Sequence, residues 1–337
     1  MVHERISLEH AEPANPRRAF IMYAEIDDST SSKSWLVDRI LGCGELSAVY
    51  GPPGCGKGVL VEDMALHVCA GLEWHGKPVT RGAVVYVALE RKALVERRAL
   101  AFRKKYGLQD LPFAILGGVY DFRDERTAKE IIGICKEVHD LAAEPVVLVI
   151  VDTVSRALAG GDENSPRDMG ALVTTTARIQ ERTKAHVLLV HHIPHDSERL
   201  RGHGSLLGAV DTTLSVSNSG DVRSAKVVKA NDSEEGEAVS FKIEGIEISR
   251  DGTTAPVAIP CEARPAEPRK QKLTANQQTM LGILQDAGRD GLSTADWNTK
   301  ARDLDIGANR RATLHDCQRA LKKHGLVREY MGTWHAT

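Results

Sequence analysis

The chain has 337 residues, 42% of them hydrophobic and 27% charged, and carries a formal net charge of −2 at pH 7. That length makes about two domains with a sizeable core. No apolar run approaches the roughly 20 residues that span a bilayer, and the first thirty residues lack an apolar signal core, so a cytoplasmic protein with no membrane partner is expected.

Residues 1–33 read as an N-terminal extension. LSAVYG (46–51) predicts a strand, and VLVEDMALHVCAG (59–71) has apolar residues at helical spacing. AVVYVAL (83–89) predicts a strand, and LVERRALAFRKKYG (94–107) a helix ended by glycine. FAILGG (113–118) is a short strand, TAKEIIGICKEVHDLAA (127–143) a helix, and VVLVIVD (146–152) an apolar strand ending in a carboxylate. MGALVTTTARIQERTKA (169–185) is a helix, and HVLLVHH (186–192) a strand. Strands apolar throughout and alternating with helices predict an α/β fold with a mainly parallel sheet covered on both faces. DTTLSVS (211–217), AKVVKA (225–230) and VSFKIEGIEIS (239–249) follow without intervening helices, as a β-rich finish to the same domain, which spans 34–261.

Residues 262–272 (EARPAEPRKQK) hold prolines and charges with almost nothing apolar, the composition of a linker. Over 273–337, three predicted helices and a short hairpin make the pattern of a small winged helix-turn-helix domain. Leu314, Cys317, Leu321 and Leu326 are expected to face its core, with Trp334 packing. From Glu262 onward there are 13 Lys/Arg against nine Asp/Glu, and a basic tail on an acidic body points to nucleic acid. The six cysteines are scattered without a close pair, which favours reduced thiols over a zinc site or a disulfide frame.

The run GPPGCGKG, Gly51 to Gly58, fits G-x-x-x-x-G-K between a strand and a helix. Glycines let successive amides turn toward phosphate oxygens, and the helix N-terminus adds its positive end. The nucleotide-binding residues predicted are Gly51, Pro52, Pro53, Gly54, Cys55, Gly56, Lys57, Gly58 and Val59, with Lys57 reaching the β- and γ-phosphates. A Ser or Thr that normally follows the lysine puts its hydroxyl on Mg²⁺. Gly58 offers none, so phosphate binding is expected to survive and metal-assisted hydrolysis to suffer unless water fills the place. Asp152, ending VVLVIVD, suits a carboxylate that holds Mg²⁺. Glu90, ending VVYVALE, suits the base that polarises an attacking water. Of His191 and His192, one is expected to sense the γ-phosphate, with His192 favoured.

The run from about Trp35 to Ser249 resembles RecA-like P-loop ATPases of the RepA type, the hexameric plasmid and phage replicative helicases. The likeness rests on GPPGCGKG, VALE with Glu90, VIVDT with Asp152, DENS at 162–165, LLVHH, and RGHGSLLGAVDTTL at 201–214. It implies a RecA-like fold, ATP and Mg²⁺ as cofactors, nucleotide sites between subunits of a homohexameric ring, DNA threaded through that ring, and replication proteins as partners. It implies phosphate binding by Lys57, metal binding by Asp152 and base catalysis by Glu90. The family's trans-acting arginine has no counterpart in GAVDTTL, and Lys229 and Arg223 stand as candidates for that role.

Two segments suit contact with single-stranded DNA, 155–168 with Arg156 and Arg167, and 193–204 with Arg199 and Arg201. Arginines on irregular segments track phosphates without reading sequence. In the C-terminal domain the third helix suits the major groove of duplex DNA. Its candidates are Arg310, Arg311, Gln318 and Arg319. Three functions fit: an ATP-driven DNA motor or loader, a nucleotide-gated DNA-binding regulator with little turnover, and a filament-forming recombinase-like ATPase.

Overall fold

The computed structural model describes residues 21–26, 33–192, 204–262, 273–307, 312–323, 325–330 and 332–337. The chain divides into two units, Met1–Ala263 and Arg264–Thr337. In the first, a small antiparallel pair, β1 (Trp35–Val37) and β2 (Leu41–Gly42), precedes the main sheet. The strands that follow are β3 (Leu46–Gly51), β4 (Ala83–Ala88), β5 (Phe113–Gly117), β6 (Val146–Asp152), β7 (His186–His192), β8 (Thr212–Ser219), β9 (Val222–Ala230), β10 (Gly236–Glu247) and β11 (Thr254–Pro260). Among the described residues they form one nine-stranded sheet in the order β11-β10-β9-β8-β3-β7-β6-β4-β5. Pairing is parallel from β8 to β5 and antiparallel from β8 to β11. This is an α/β architecture with a mostly parallel central sheet, which fits a RecA-like P-loop core.

The parallel strands are built from Val, Ile, Leu and Ala because both faces are covered. On one face α1 (Lys57–Ala70) and Val95 of α2 (Lys92–Tyr106) pack on Val49, Tyr86, Ile150 and Val190. On the other, α3 (Glu125–Ala142), α4 (Val154–Ala157), α5 (Pro166–Thr183) and α6 (Gly204–Ala209) cover Ala48, Val85, Val151 and Leu189. Capping sets the helix starts: Asp124 accepts the Arg126 amide, and Ser165 accepts the Asp168 amide with Pro166 opening α5. Thus α3 and α5 begin two or three residues before the predicted helices, because cap and proline lie ahead of the apolar repeat. The prediction omits β11. Its Pro256 and Pro260 argue against an interior strand, but β11 lies at the sheet edge, where a missing amide is tolerated.

In the second unit, α7 (Ala275–Asp286), α8 (Thr294–Arg302) and α9 (Ala312–Lys323) pack with β12 (Leu292–Ser293), β13 (Val327–Tyr330) and β14 (Thr333–Ala336). The three strands pair in the order β12-β14-β13, among the described residues. Thr274 and Gln277 form a capping box at α7. The core gathers Met280, Leu284, Trp297, Leu314, Leu321 and Trp334. Both indoles are held, Trp297 Nε1 donating to Met280 O at 2.9 Å and Trp334 Nε1 to Thr294 Oγ1 at 2.9 Å. The predicted hairpin gains a third strand, β12, too short at two residues to leave a sequence signal. Among the described residues no helix is long and apolar enough to cross a membrane.

Candidate functional site

Four neighbouring strands, β3, β7, β6 and β4, bring their carboxyl ends together. Gly51 pairs with His192 across β3 and β7, and Ala88 with Asp152 across β4 and β6. The chain continues from these ends into Pro52–Gly56 and Glu90. The result is a cleft of about 410 Å³ lined by Gly54, Lys57, Gly58, Glu90, Asp152 and His192, with Arg98 of α2 at its side. A crevice at the carboxyl ends of parallel strands is where an open α/β sheet places a ligand.

The loop from Gly51 to Lys57 wraps its own lysine. Lys57 Nζ donates to Gly51 O at 2.7 Å and Pro52 O at 3.0 Å, and lies 3.8 Å from Cys55 Sγ. Gly54 and Gly56 take φ of 76° and 98°, left-handed values that a Cβ would oppose. Gly56 caps α1 with no side-chain hydrogen bond, so the first amides of that helix remain available to an anion. Pro53 and Gly54 are exposed at the loop tip, while Cys55 and Val59 are buried beneath it. Burial lowers the Lys57 ammonium below its ordinary value, against the opposing pull of Cys55, Asp152 and Glu90.

Asp152 lies at the cleft floor, with its Oδ2 accepting the Tyr86 hydroxyl at 2.7 Å. Burial raises its carboxyl, and Glu90 adds to this; Tyr86, Arg98 and Lys57 pull the other way. Glu90 is more open. Its Oε1 accepts the Thr153 hydroxyl at 3.0 Å and lies 3.9 Å from His192 Nε2 and 4.0 Å from Arg156 Nε. His192 faces this carboxylate, whereas His191, on the opposite face of β7, is buried. Desolvation, then Lys57, lowers the His192 imidazole below its ordinary value, against the opposing pull of Glu90.

Donors for nucleotide phosphate are present: loop amides, the start of α1, and Lys57. The residues fit Mg²⁺ less well. Asp152 supplies a carboxylate, but position 58 has no hydroxyl, and the space beside it is taken by a cation: a Cβ built on Gly58 would lie 3.1 Å from Arg98 Nη1. Sequence reasoning made hydrolysis depend on a water taking the hydroxyl's place; the Arg98 guanidinium stands beside that position.

Other predicted residues fare differently. Arg223 packs over its own chain's loop, its Cδ and Nε 2.8 and 3.2 Å from where a Gly56 Cβ would sit, and its Nη1 donates to Asp221 O at 3.3 Å. Lys229 Nζ donates to Leu207 O at 2.8 Å and Val210 O at 2.5 Å. Both trans-acting candidates thus make contacts within their own subunit. Arg156, within the short α4, and Arg167, at the start of α5, are exposed. Arg199 and Arg201, and Arg310 and Arg311, lie outside the described residues. Gln318 is a correction: it is buried, and its Nε2 donates to Asn298 Oδ1 at 2.8 Å, so it helps hold α9 to α8 rather than facing a partner. Arg319 is exposed beside His315 and Asp316.

Sequence reasoning missed Tyr86, Thr153 and Arg98. One signal points to Arg98. α1 is buried along most of its length, yet Glu62 and Asp63 lie in it, and buried carboxylates call for polar or cationic partners.

The sequence model of a family described as AAA domain matches residues 11–198, more than half of the chain. No curated protein matches the chain.

Proposed function

Because the chain belongs to the AAA domain family and is therefore a nucleotide-binding P-loop ATPase, we propose that it is an ATP-driven DNA motor of a plasmid, phage or mobile element, a replicative helicase of the RepA type or its loader. The observation that carries this reading is Glu90. A half-open carboxylate stands at the end of β4, fixed by Thr153 and facing the phosphate loop. A carboxylate so placed suits a base that takes a proton from water attacking a terminal phosphoryl group. Lys57 and the loop amides hold the phosphates, and His192, 3.9 Å from Glu90, links the reacting end to the chain that follows β7.

DNA is the proposed partner. Arg156 is exposed 4.0 Å from Glu90, so a phosphate backbone drawn to it would act beside the base. The helices and small sheet of the C-terminal unit support a winged helix-turn-helix, with duplex DNA met by α9 and the arginines before it. A homohexameric ring with nucleotide between subunits belongs to the same reading, with Lys229 and Arg223 as candidates for its trans-acting residue. Replication proteins are its further partners, and the cytoplasm its place.

Gly58 with Arg98 favours a second reading, a nucleotide-gated DNA-binding regulator of low turnover. One experiment separates the readings: ATPase rate with and without single-stranded DNA, alongside particle shape by electron microscopy. A DNA-stimulated ring supports the motor. Slow turnover with duplex binding supports the regulator, and a filament overturns both in favour of a recombinase-like ATPase.

A further inference from the structure

Gly58 and Arg98 fit together as one unit. Arg98 comes from the second turn of α2, and its Nη1 stands 3.1 Å from the Cβ that residue 58 lacks, with Cζ and Nη2 at 3.8 Å. A side chain at 58 would press on the guanidinium. A cation therefore stands beside the place where a hydroxyl would be, and it repels a second cation and attracts phosphate.

Arg98 is restrained but not used up. Its sole ion pair among the described residues is a long one, Nη1 to Glu62 Oε2 at 3.4 Å, and the side chain is only 15% exposed. Its Nε, and Oε1 of Glu62, have no hydrogen-bond partner among the described residues. A guanidinium has five donors in a planar fork that suits phosphate bidentately. The head group lies at the wall of the cleft that also holds Lys57 and Asp152.

We infer that Arg98 is a phosphate-binding residue of the nucleotide site, admitted by Gly58, and that it neutralises the β- and γ-phosphates in place of part of the charge magnesium otherwise supplies. ATP then binds with weak dependence on Mg²⁺. This rests on the reading of the loop from Gly51 as a nucleotide site, and Glu62 is the counter-ion that parks Arg98 when no phosphate is present.

The test is calorimetric titration of the full chain with ATP, once in excess Mg²⁺ and once in EDTA. Chelation is expected to weaken the wild-type protein by no more than about tenfold, or 1.4 kcal/mol. Arg98→Gln is expected to lose roughly 10–100-fold in EDTA, the worth of one charge-assisted hydrogen bond, and Arg98→Lys to recover part of it. Because Arg98→Gln strands Glu62, the substitution is also made with Glu62→Gln, and thermal unfolding checks that each variant is folded. Gly58→Ser is expected to widen the ratio between the two conditions. If EDTA abolishes wild-type binding, or a folded Arg98 variant binds in EDTA as the wild type does, the inference is overturned. If the wild type binds ATP in neither condition, the nucleotide reading itself falls.

Discussion

Thr153 donates its hydroxyl to Glu90 Oε1 at 3.0 Å, so the residue after the β6 carboxylate fixes the carboxylate that follows β4. Adjacent parallel strands, paired at Ala88 and Asp152, make that bond geometrically available. The acceptor is thereby oriented from the strand next door instead of swinging from its own loop.

Glu90→Gln keeps the shape and the acceptor oxygen but removes the base. ATP affinity should stay near wild type while turnover falls by roughly 10²–10⁴-fold, the usual worth of general-base catalysis. Thr153→Val should lower turnover less than Glu90→Gln does, because it loosens the carboxylate without deleting it. Steady-state kinetics with calorimetric binding checks both; unchanged turnover in the Glu90 variant removes it as the base.

Lys57→Ala takes away the loop's side-chain cation and leaves the Gly51 and Pro52 carbonyls without their donor. ATP affinity should fall by at least roughly 10–100-fold, the equivalent of losing a charged hydrogen bond. A variant that binds ATP as before would refute the phosphate role of the loop.

Much of this architecture is legible in the order of the residues alone. The strands β3, β6 and β7 are readable because a strand buried on both faces carries a near-continuous apolar run, and Gly51–Lys57 because its glycines serve backbone amides and need no distant partner. Arg98 and Arg223 are not legible as loop neighbours. Their nearness to Gly58 and Gly56 arises only when α2 and β9 pack, a tertiary outcome that no local pattern encodes. Gln318 misleads for the related reason that a polar residue on α9 can be buried if another helix offers Asn298.

His186 is fully buried, with Nδ1 2.7 Å from Gly42 O, and burial pulls its imidazole down to about 4. The folded state therefore stays neutral where the unfolded chain, with an ordinary value near 6.5, takes up a proton. Stability is full above about pH 6.5 and should fall by about 1.4 kcal/mol per pH unit from this group as pH drops toward 4. His186→Asn, whose amide can donate to the same carbonyl, should flatten that part of the profile. Chemical denaturation across pH 4.5–7.5 measures it, and an unchanged slope would deny His186 the role.

The C-terminal unit has its own core around Trp297 and Trp334. Deleting residues 262–337 should remove duplex DNA binding and leave the ATPase unit with a cooperative unfolding transition. In the full chain, Trp297→Ala should cost the C-terminal unit about 3–5 kcal/mol, as large aromatic truncations do. Gel-shift assays and calorimetry report the two effects separately; retained duplex binding after deletion would place that activity in the first unit.

α2 touches two separate apolar clusters. Val95 belongs to the core beneath the phosphate loop, while Ala101 packs on Ala255 and Val257 of the edge strand β11. Lys105 adds an ion pair to Glu244 of β10 at 3.2 Å. The helix is thus held at both ends before any ligand arrives. Its backbone entropy is spent during folding, and the donor that α2 carries meets its ligand preorganised, with only a side chain left to order. Loosening the far end of the helix, at Ala101 or Val257, should therefore weaken nucleotide affinity although neither residue lies in the cleft.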